Sequence, residues 1–500
     1  MPTGPADSVS EQPSPPERED TAAGDGRGAP PRAGLAFAVL GIVQATLIFT
    51  ITLISVPLPV IGREFGIGTT ELVLVTAAYG LPYSGLLLFG GRLADRYGGR
   101  RVFVTGLVVF GLASALAALA PNAETLVAVR FTQGIGAAMT APAALAVLRA
   151  VFTEPAAFGR AMATWGGVSV LGSALGTLVS GTVTTWVSWR WMFAVPVLVA
   201  VVGLAVTRGL LPAGPADDGS RARPGLDPVG AVLATIGISV GSYGLILTGD
   251  HPWTSAAVLV PLVVGVVLVV AFLAVERRVR DPLLPPGFTL EPRRLVGLAG
   301  MLLAAAGVGL VTFLLSIYLQ QERGWTPLET TGAFLPFTVA LILTSRAMGP
   351  VVGRFGAHKA TVAGLVIGAA GLALLAGVGR DTTFVLGMMP GLILLPVGLS
   401  LVFSGSAVLS TAGVPPHQAG LAGGVMNTAM ELGPTVGLAA LMSVAATRAD
   451  VVAGYGWAYG TAGAVYLAAA LAAVALVRPD RPVSDGPARA ETAPAGAAPR

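Results

Sequence analysis

The chain contains fourteen apolar stretches that are each long enough to cross a lipid bilayer as an α-helix. A hydrocarbon core about 30 Å thick requires roughly 20 apolar residues in a helix. Of the 500 residues, 54% are hydrophobic and only 11% are charged, which excludes a soluble globular domain. We therefore predict an all-α, multi-pass membrane protein. The predicted spans are 35–60, 70–90, 102–120, 126–148, 161–183, 191–211, 229–247, 254–274, 296–319, 331–352, 361–378, 384–410, 420–446 and 457–477.

A short polar segment occurs twice, each time directly after an apolar stretch. It reads Gly-Arg-Leu-Ala-Asp-Arg-Tyr-Gly-Gly-Arg-Arg at 91–101 and Gly-Pro-Val-Val-Gly-Arg-Phe-Gly-Ala-His-Lys at 349–359. A second set of residues recurs at nearly the same separation, with Pro155, Gly159, Gly172 and Gly176 matching Pro416, Gly420, Gly433 and Gly437. The repetition indicates two related halves, an arrangement that lets one half rock against the other around a central site.

The repeats divide the chain into two six-span bundles separated by two extra spans. The expected organisation is a disordered tail at 1–32, an N-terminal bundle at 33–211, two inserted helices with their linkers at 212–294, a C-terminal bundle at 295–478 and a second disordered tail at 479–500. Both tails are rich in Pro, Gly and Ala and carry no hydrophobic periodicity, a composition typical of disorder.

The distribution of positive charge predicts the orientation in the membrane. Most of the 30 Arg and Lys residues fall in loops on the side of the N-terminus, so the positive-inside rule places both termini in the cytoplasm of a cell-membrane protein. Six tryptophans fall at the opposite ends of the spans, where an indole ring suits the headgroup layer, and Trp165 is the exception. These six are Trp186, Trp189, Trp191, Trp253, Trp325 and Trp457.

Several classes of function lack the residues they require. No Gly-x-x-x-x-Gly-Lys-Ser/Thr motif is present, which argues against ATP as the energy source. Cysteine is absent and only three histidines occur, so neither a thiolate metal site nor a histidine metal site is expected. No catalytic triad is evident, and we expect no enzymatic activity. The basic residues lie mostly in short loops between spans, so a nucleic-acid partner is not needed to explain them.

Four motifs carry a resemblance to one family. Segment 91–101 resembles the cytoplasmic-loop signature of the major facilitator superfamily, and Arg-Phe-Thr-Gln-Gly-Ile-Gly at 130–136 resembles its fourth-helix motif. Segment 172–176 resembles the family's antiporter motif, and 189–193 resembles the entry to its sixth helix. Fourteen spans arranged six, two and six are similar to the drug:proton antiporter branch.

The resemblance implies a fold and a function. It implies two pseudo-symmetric bundles working by alternating access, with proton-coupled export of small amphipathic drugs, antibiotics or secondary metabolites. The proton motive force would then be the energy source and no cofactor would be required. The oligomeric state is not indicated, and a monomer is the default. Two other readings stay open, namely a facilitator or lipid exporter without proton coupling, and a non-transporting receptor or scaffold.

The first copy of the repeated loop predicts a cytoplasmic latch. Asp95 lies near a helix end, where its carboxylate can accept hydrogen bonds from Arg96, Arg100 or Arg101, or from the N-terminus of a facing helix. The alternative is a basic loop that sets topology and nothing more. Gly353 replaces the acid in the second copy, so only the first half should carry the charged latch. The residues assigned to the latch are Gly91, Arg92, Asp95, Arg96, Gly98, Arg100 and Arg101.

Two charges within spans are candidates for proton coupling. Arg130 costs at least about 2.5–3.5 kcal/mol at a membrane centre, so we expect it to face the interior near Gln133. By resemblance it serves proton coupling, and the alternative is that its side chain snorkels to the surface. Glu431 lies deep in its span and is followed by Leu-Gly-Pro, so we expect it to serve proton coupling or the recognition of a cation. Its alternative is a permanently protonated acid that hydrogen-bonds a neighbouring helix.

The first helix departs from the family pattern. Antiporters of this type usually carry Asp and Asn before an Ala-Leu-Pro, whereas here Thr50 and Ser55 stand at those places, so coupling would pass through Glu431 or be absent.

Glycines of the fifth span and its counterpart permit either close packing or bending. These packing or hinge residues are Gly167, Gly172, Gly176, Gly181, Gly433, Pro434 and Gly437. The candidates for lining a cavity are Gln44, Thr50, Tyr79, Gln133, Trp165, Arg346, Asn427 and Glu431.

Overall fold

The computed structural model describes residues 31–211, 225–285, 287–288, 290–414 and 419–477. The predicted tails lie outside these residues, except that the first helix begins at Pro31, two residues inside the expected tail. The described part is helical throughout and contains no strand. Its helices are α1 (Pro31–Leu53), α2 (Leu58–Phe65), α3 (Thr69–Tyr97), α4 (Gly99–Ala118), α5 (Ala123–Val151), α6 (Pro155–Trp186), α7 (Ala194–Leu210), α8 (Pro228–Ile246), α9 (Ala256–Glu276), α10 (Pro292–Ile317), α11 (Pro327–Ala333), α12 (Leu335–Phe355), α13 (Ala357–Ala376), α14 (Met389–Thr411), α15 (Ala419–Leu432), α16 (Leu438–Ala445) and α17 (Val451–Leu476).

Each predicted span corresponds to a helical segment. In the described residues thirteen segments are long and apolar enough to cross a membrane, and α6, with 32 residues, is also long enough. Successive spans run in opposite directions, so α1 begins and α17 ends at the same face of the bundle. We name this the terminal face and the opposite one the distal face.

Prolines interrupt three of the spans that the sequence predicts as single helices. The expected span 35–60 is two helices, because α1 ends at Leu53 and α2 begins at Leu58 beyond a turn that contains Pro57. The expected span 331–352 is likewise divided between α11 and α12 before Pro336. Proline lacks a backbone N–H, and its ring collides with the preceding turn. Span 420–446 is divided by a π-helical segment that contains Pro434.

The helices form two bundles with the inserted pair beside their junction. In the first half α1 packs on α6, and α5 packs between α3 and α4. In the second half α14 packs against α10, α12 and α13. The inserted helices α8 and α9 pack on each other, and α8 also contacts α3 of the first half and α16 of the second. A Cβ atom on Gly85 would meet the backbone of Thr235, so α3 and α8 are in close contact.

The repeated loop has the same backbone geometry in both halves. Gly98 has φ +89° and Gly356 has φ +85°, which side-chain-bearing residues rarely adopt. The amide of Gly98 donates to the Ala94 carbonyl, and that of Gly356 donates to the Val352 carbonyl. A glycine at this place lets one helix end and the next begin without a linker, which explains why both copies retain it.

We expect Gly356→Ala to lower the thermal unfolding temperature of the purified protein, because forcing a Cβ into this backbone region costs about 1–3 kcal/mol. Gly353→Ala is the matched control, since a Cβ at Gly353 meets nothing within 4 Å. The measurement is a thermal unfolding scan in one detergent. Equal unfolding temperatures for the two variants would contradict the assigned role of the positive φ.

The sequence predicts Trp189 at the bilayer surface, but its side chain is buried inside the protein. It is 1% exposed, and its indole N–H donates to Oε2 of Glu64 at 2.6 Å. Arg190 also pairs with Glu64 and lies over the Trp189 ring. Burial acts to raise the pKa of Glu64, but the hydrogen bonds from Trp189 and Arg190 and the Arg190 charge outweigh it and lower the pKa. Because the pKa is lower in the folded state, the ionised Glu64 stabilises the fold, and this stabilisation is lost as the pH falls through the lowered pKa.

Candidate functional site

Glu431 lies where the helix of its span changes geometry. It is the penultimate residue of α15 and is followed by the π-helical segment Gly433–Gly437. Pro434 has no N–H to give to the preceding turn, and the Thr435 hydroxyl donates to the Glu431 carbonyl at 3.3 Å and to the Leu432 carbonyl at 3.1 Å. Single π-helical turns occur frequently at functional sites. The Glu431 side chain is 5% exposed, as the sequence predicts for a buried acid.

Two tyrosines near Glu431 come from the other half of the molecule, whereas α10 of its own half packs on the other side of the same segment. The charge of Glu431 acts on Tyr79 and Tyr83 of α3, whose rings are 5.7 Å apart. The backbone of α3 also approaches the π-helical segment, because a Cβ on Gly80 would overlap the methyl group of Thr435. Helix α15 of the second half packs on α3 of the first, which places Glu431 near these two tyrosines.

Arg130 is fully buried on the adjacent helix α5. Its Nε donates to the Val75 carbonyl of α3 at 3.0 Å, and its guanidinium lies 5.5 Å from the centre of the Tyr79 ring. Its exposed fraction is 0%, so the snorkelling alternative is wrong. Both terminal nitrogens lack a hydrogen-bond partner. The close approach of α5 to α3 depends on Gly134, where a Cβ would overlap the Tyr79 carbonyl.

Tyr79 connects the two buried charges. No ion pair joins Arg130 to Glu431, both of which the structure describes, yet the charges of both act on Tyr79. The Tyr79 hydroxyl donates to the Leu47 carbonyl of α1 at 3.1 Å. The site thus brings together a cation, an unpaired acid and an aromatic ring from three helices, with α1 as its fourth wall.

The remaining cavity candidates divide into three groups. Gln44 belongs to the site, because it lies within hydrogen-bonding reach of Tyr83 and its Oε1 is buried without a partner. Thr50 is buried and donates to the Thr46 carbonyl of its own helix at 2.7 Å. The other four candidates make contacts elsewhere or lie nearer the surface. Gln133 donates to Ser114 at 2.7 Å, Trp165 packs edge-on against Phe37, Asn427 is half-buried and Arg346 is exposed.

The glycines of the antiporter motif permit close helix packing. Cβ atoms on Gly172 and Gly176 would overlap α1, and one on Gly181 would overlap Thr331 of the second half. The same holds for Gly433 and Gly437, which pack against α10. Gly167 lies in α6. Packing therefore accounts for these five contacts, and bending at them stays a prediction.

The latch residues lie at the terminal face, and two of their neighbours were not predicted from sequence. The charges that act on Asp95 come from Arg92 and from Arg149 at the end of α5. Arg92 also donates to the Pro282 carbonyl at 2.7 Å, so the first-half latch touches the connector that follows the inserted helices. Glu276 fastens the same connector by accepting the Leu284 amide at 2.9 Å. Only Arg149 had a visible signal, a basic residue in the last turn of a helix.

Two helical bundles that enclose a buried charged site at their junction define a membrane transporter of the two-half, alternating-access class. The chain belongs to the Major Facilitator Superfamily, whose family model matches residues 39–438 and 298–500. Members of this superfamily are secondary transporters, so the protein is a transporter and not an enzyme. The resemblance seen in the loop and helix motifs is confirmed.

Three of the similar proteins have names that refer to antibiotic resistance or export. Puromycin resistance protein pur8 of Streptomyces alboniger is 35% identical over 423 residues, covering 84% of this chain and 83% of that protein. Cephamycin export protein CmcT of Amycolatopsis lactamdurans is 35% identical over 454 residues, covering 87% and 90%. The lincomycin resistance protein of Streptomyces lincolnensis is 34% identical over 450 residues, covering 88% and 91%.

Solved structures agree with the fold. An auto-inhibited peptide transporter of the POT family matches with a TM-score of 0.63 at 17% identity, covering 93% of this chain and 99% of that chain. The human organic anion transporter MFSD10 matches with a TM-score of 0.61 at 18% identity, covering 89% and 100%. At this level of identity the likeness concerns the fold alone.

Proposed function

We propose that the protein is a proton-coupled exporter of small amphipathic antibiotics or secondary metabolites in the cell membrane. The terminal face is the cytoplasmic one in this proposal, so both termini are cytoplasmic. The observation that carries the proposal is Glu431, a buried acid of one half that lies near Tyr79 and Tyr83 of the other without an ion-pair partner. The names of the antibiotic resistance and export relatives support the substrate class.

Protonation of Glu431 would change the free-energy difference between the two conformations. A buried carboxyl group without a partner favours its neutral form, and it favours the charged form once water or a cationic substrate reaches it. Opening toward one face would therefore release the proton, and closing would require it again. A ligand shifts such an equilibrium only by its differential affinity for the two states, and here the proton and the substrate compete for one acid.

The experiment that tests this proposal uses proteoliposomes with an imposed pH gradient. Puromycin, a cephamycin and lincomycin are added in turn, and an internal pH dye reports proton movement. Proton-coupled antiport predicts that at least one compound dissipates the gradient in proportion to its own accumulation. Accumulation with no proton movement, for every compound that is transported, would contradict the coupling. The proposed transport unit is a monomer.

A facilitator or lipid exporter without proton coupling is the second candidate. The first helix favours it, because Thr50 is fully buried, bonds within its own helix and offers no titrating group. In the same proteoliposomes this candidate predicts substrate movement down its own gradient and no effect of pH. The two candidates therefore give opposite results in one assay.

Asp95→Asn tests whether the first-half loop acts as a latch or only sets topology. We expect the change to weaken the interaction of Asp95 with Arg92 and Arg149 and to reduce export by roughly threefold to tenfold, the range for a lost charge-assisted contact near a surface. The measurement is antibiotic protection in an efflux-deficient bacterium at matched expression. Glu154→Gln, an exposed acid that precedes α6, is the control. Unchanged protection in the Asp95 variant would count against the latch.

A further inference from the structure

Two side chains of the second half bind backbone carbonyls of the first half near the distal face. Ser316 Oγ donates to the Ser55 carbonyl at 2.7 Å, and Gln320 Nε2 donates to the Val56 carbonyl at 2.7 Å. Gln320 Nε2 also donates to Ser316 Oγ at 3.1 Å, so the two side chains hold each other in place. We name this group of four residues the distal clasp.

The carbonyls of the distal clasp are free because prolines break the first span. In a continuous helix the Ser55 carbonyl would accept from residue 59, which is a proline without an N–H. The Val56 carbonyl would accept from Val60, but that amide donates to the Pro57 carbonyl instead. Ser55 is 6% exposed and Val56 is 0% exposed, so bulk water does not reach them in this conformation. A buried carbonyl without a donor is unfavourable, which makes the two contacts from the second half necessary.

The distal clasp joins matched positions of the two halves. Ser316 follows Ser55 by 261 residues, the same separation as that between Pro155 and Pro416 of the sequence repeat. Matched positions that touch lie beside the axis that relates the halves. Because Ser55 and Ser316 lie near the distal face, opening of that face would move them apart. The halves also meet between α6 and α11, where Gly181 contacts Thr331.

We propose that Ser316 and Gln320 are positioning residues that hold the distal face closed, and that their release from Ser55 and Val56 accompanies opening to that side. The proposal rests on the proposed function insofar as the two faces open in turn. It explains how opening remains accessible: the carbonyls exchange side-chain donors for water, which enters as the halves separate. The Ser55 and Val56 carbonyls thus have hydrogen-bond donors in both the closed and the open conformation. They lack donors only in the intermediate between the two.

The distance across the distal face tests the proposal directly. The chain contains no cysteine, so Leu119→Cys and Leu386→Cys provide the only two labelling sites. These residues are 75% and 82% exposed, follow α4 and precede α14 at the distal face, and belong to different halves. Nitroxide labels on both, measured by double electron–electron resonance in detergent without substrate, report the open and closed populations.

The variant to be compared carries Ser316→Ala and Gln320→Met. We expect the ratio of distally open to distally closed molecules to rise by roughly thirtyfold, as for the loss of two hydrogen bonds of about average net strength. Ser316→Thr keeps the hydroxyl and should retain the wild-type ratio. Thr312→Val is the matched control, because that hydroxyl, one turn earlier on α10, donates to the Val308 carbonyl of its own helix. An unchanged ratio in the double variant would overturn the proposal, as would an equal shift in the Thr312 control.

A cross-link supplies a second test that does not require the double variant to fold. Ser55→Cys with Ser316→Cys, oxidised to a disulfide, should stop export, and reduction should restore it. Continued export by the fully cross-linked protein would overturn the role of the clasp in opening. If the wild-type protein moved no substrate at all, the proposed function would fail, yet the distance measurement would still decide whether the clasp holds the distal face closed.

Discussion

Glu431→Gln is expected to abolish proton-driven accumulation of substrate while leaving the protein folded. Gln is nearly the same size as a protonated Glu and can occupy the same buried position beside Tyr83, but it cannot release a proton. One pH unit corresponds to about 1.4 kcal/mol per proton and can sustain roughly a tenfold substrate gradient. In the variant that gradient should fall to the level without an imposed pH difference.

The measurement compares two transport modes in the same proteoliposomes. Accumulation driven by a pH gradient should be lost in Glu431→Gln, whereas exchange of labelled for unlabelled substrate should persist, because exchange requires no net proton movement. Glu124→Gln, at an exposed acid in the first turn of α5, is the matched control and should behave as wild type. Retention of proton-driven accumulation by the Glu431 variant would remove this residue from the coupling mechanism.

Arg130→Lys is expected to reduce export by roughly tenfold or more, although the positive charge is kept. The Nε–H that binds the Val75 carbonyl and the planar group over Tyr79 both belong to a guanidinium and have no equivalent in lysine. A hydrogen bond from a charged group contributes about 1.5–3 kcal/mol, and the abandoned Val75 carbonyl would stay buried in α3.

Arg346→Lys is the control for this substitution, because Arg346 is exposed and the same exchange there should change export little. Thermal unfolding of both variants separates a loss of folding from a loss of transport. Wild-type export by a folded Arg130→Lys protein would mean that the site requires only a positive charge, and the guanidinium geometry would then have no part in the mechanism.

The sequence predicts the spans well because apolar length is a local property. It also predicts that Glu431 is buried, because the residues on either side of it are apolar. Which face of a helix meets which neighbour depends on the whole fold and not on nearby residues. Tyr83 and the Val75 carbonyl therefore could not be assigned as neighbours of Glu431 and Arg130 before the packing was known. The division of the first span was visible in Ser-Val-Pro-Leu-Pro, but hydropathy alone does not register a missing N–H.

Contacts between distant parts of the chain were the least predictable. Arg92 and Pro282 are 190 residues apart, and the acceptor is a backbone carbonyl that carries no sequence signal. The same applies to Ser316 and Gln320, whose polar side chains lie in an apolar helix without indicating which carbonyls they bind. Trp189 was placed wrongly for a related reason: the end of a span predicts an interfacial tryptophan, and only the packed loops show that Glu64 takes its N–H.

The contacts of α8 with both bundles mean that alternating access would also displace the inserted helices. Because α8 touches α3 on one side and α16 on the other, the two bundles cannot tilt without either carrying the insert along or sliding over it. Because Gly85 and Thr235 are in close contact, we expect the inserted helices to move together with the first bundle. Sliding would then take place between α8 and α16. A bulky residue between α8 and α16 would then slow turnover even though it lies outside the charged site.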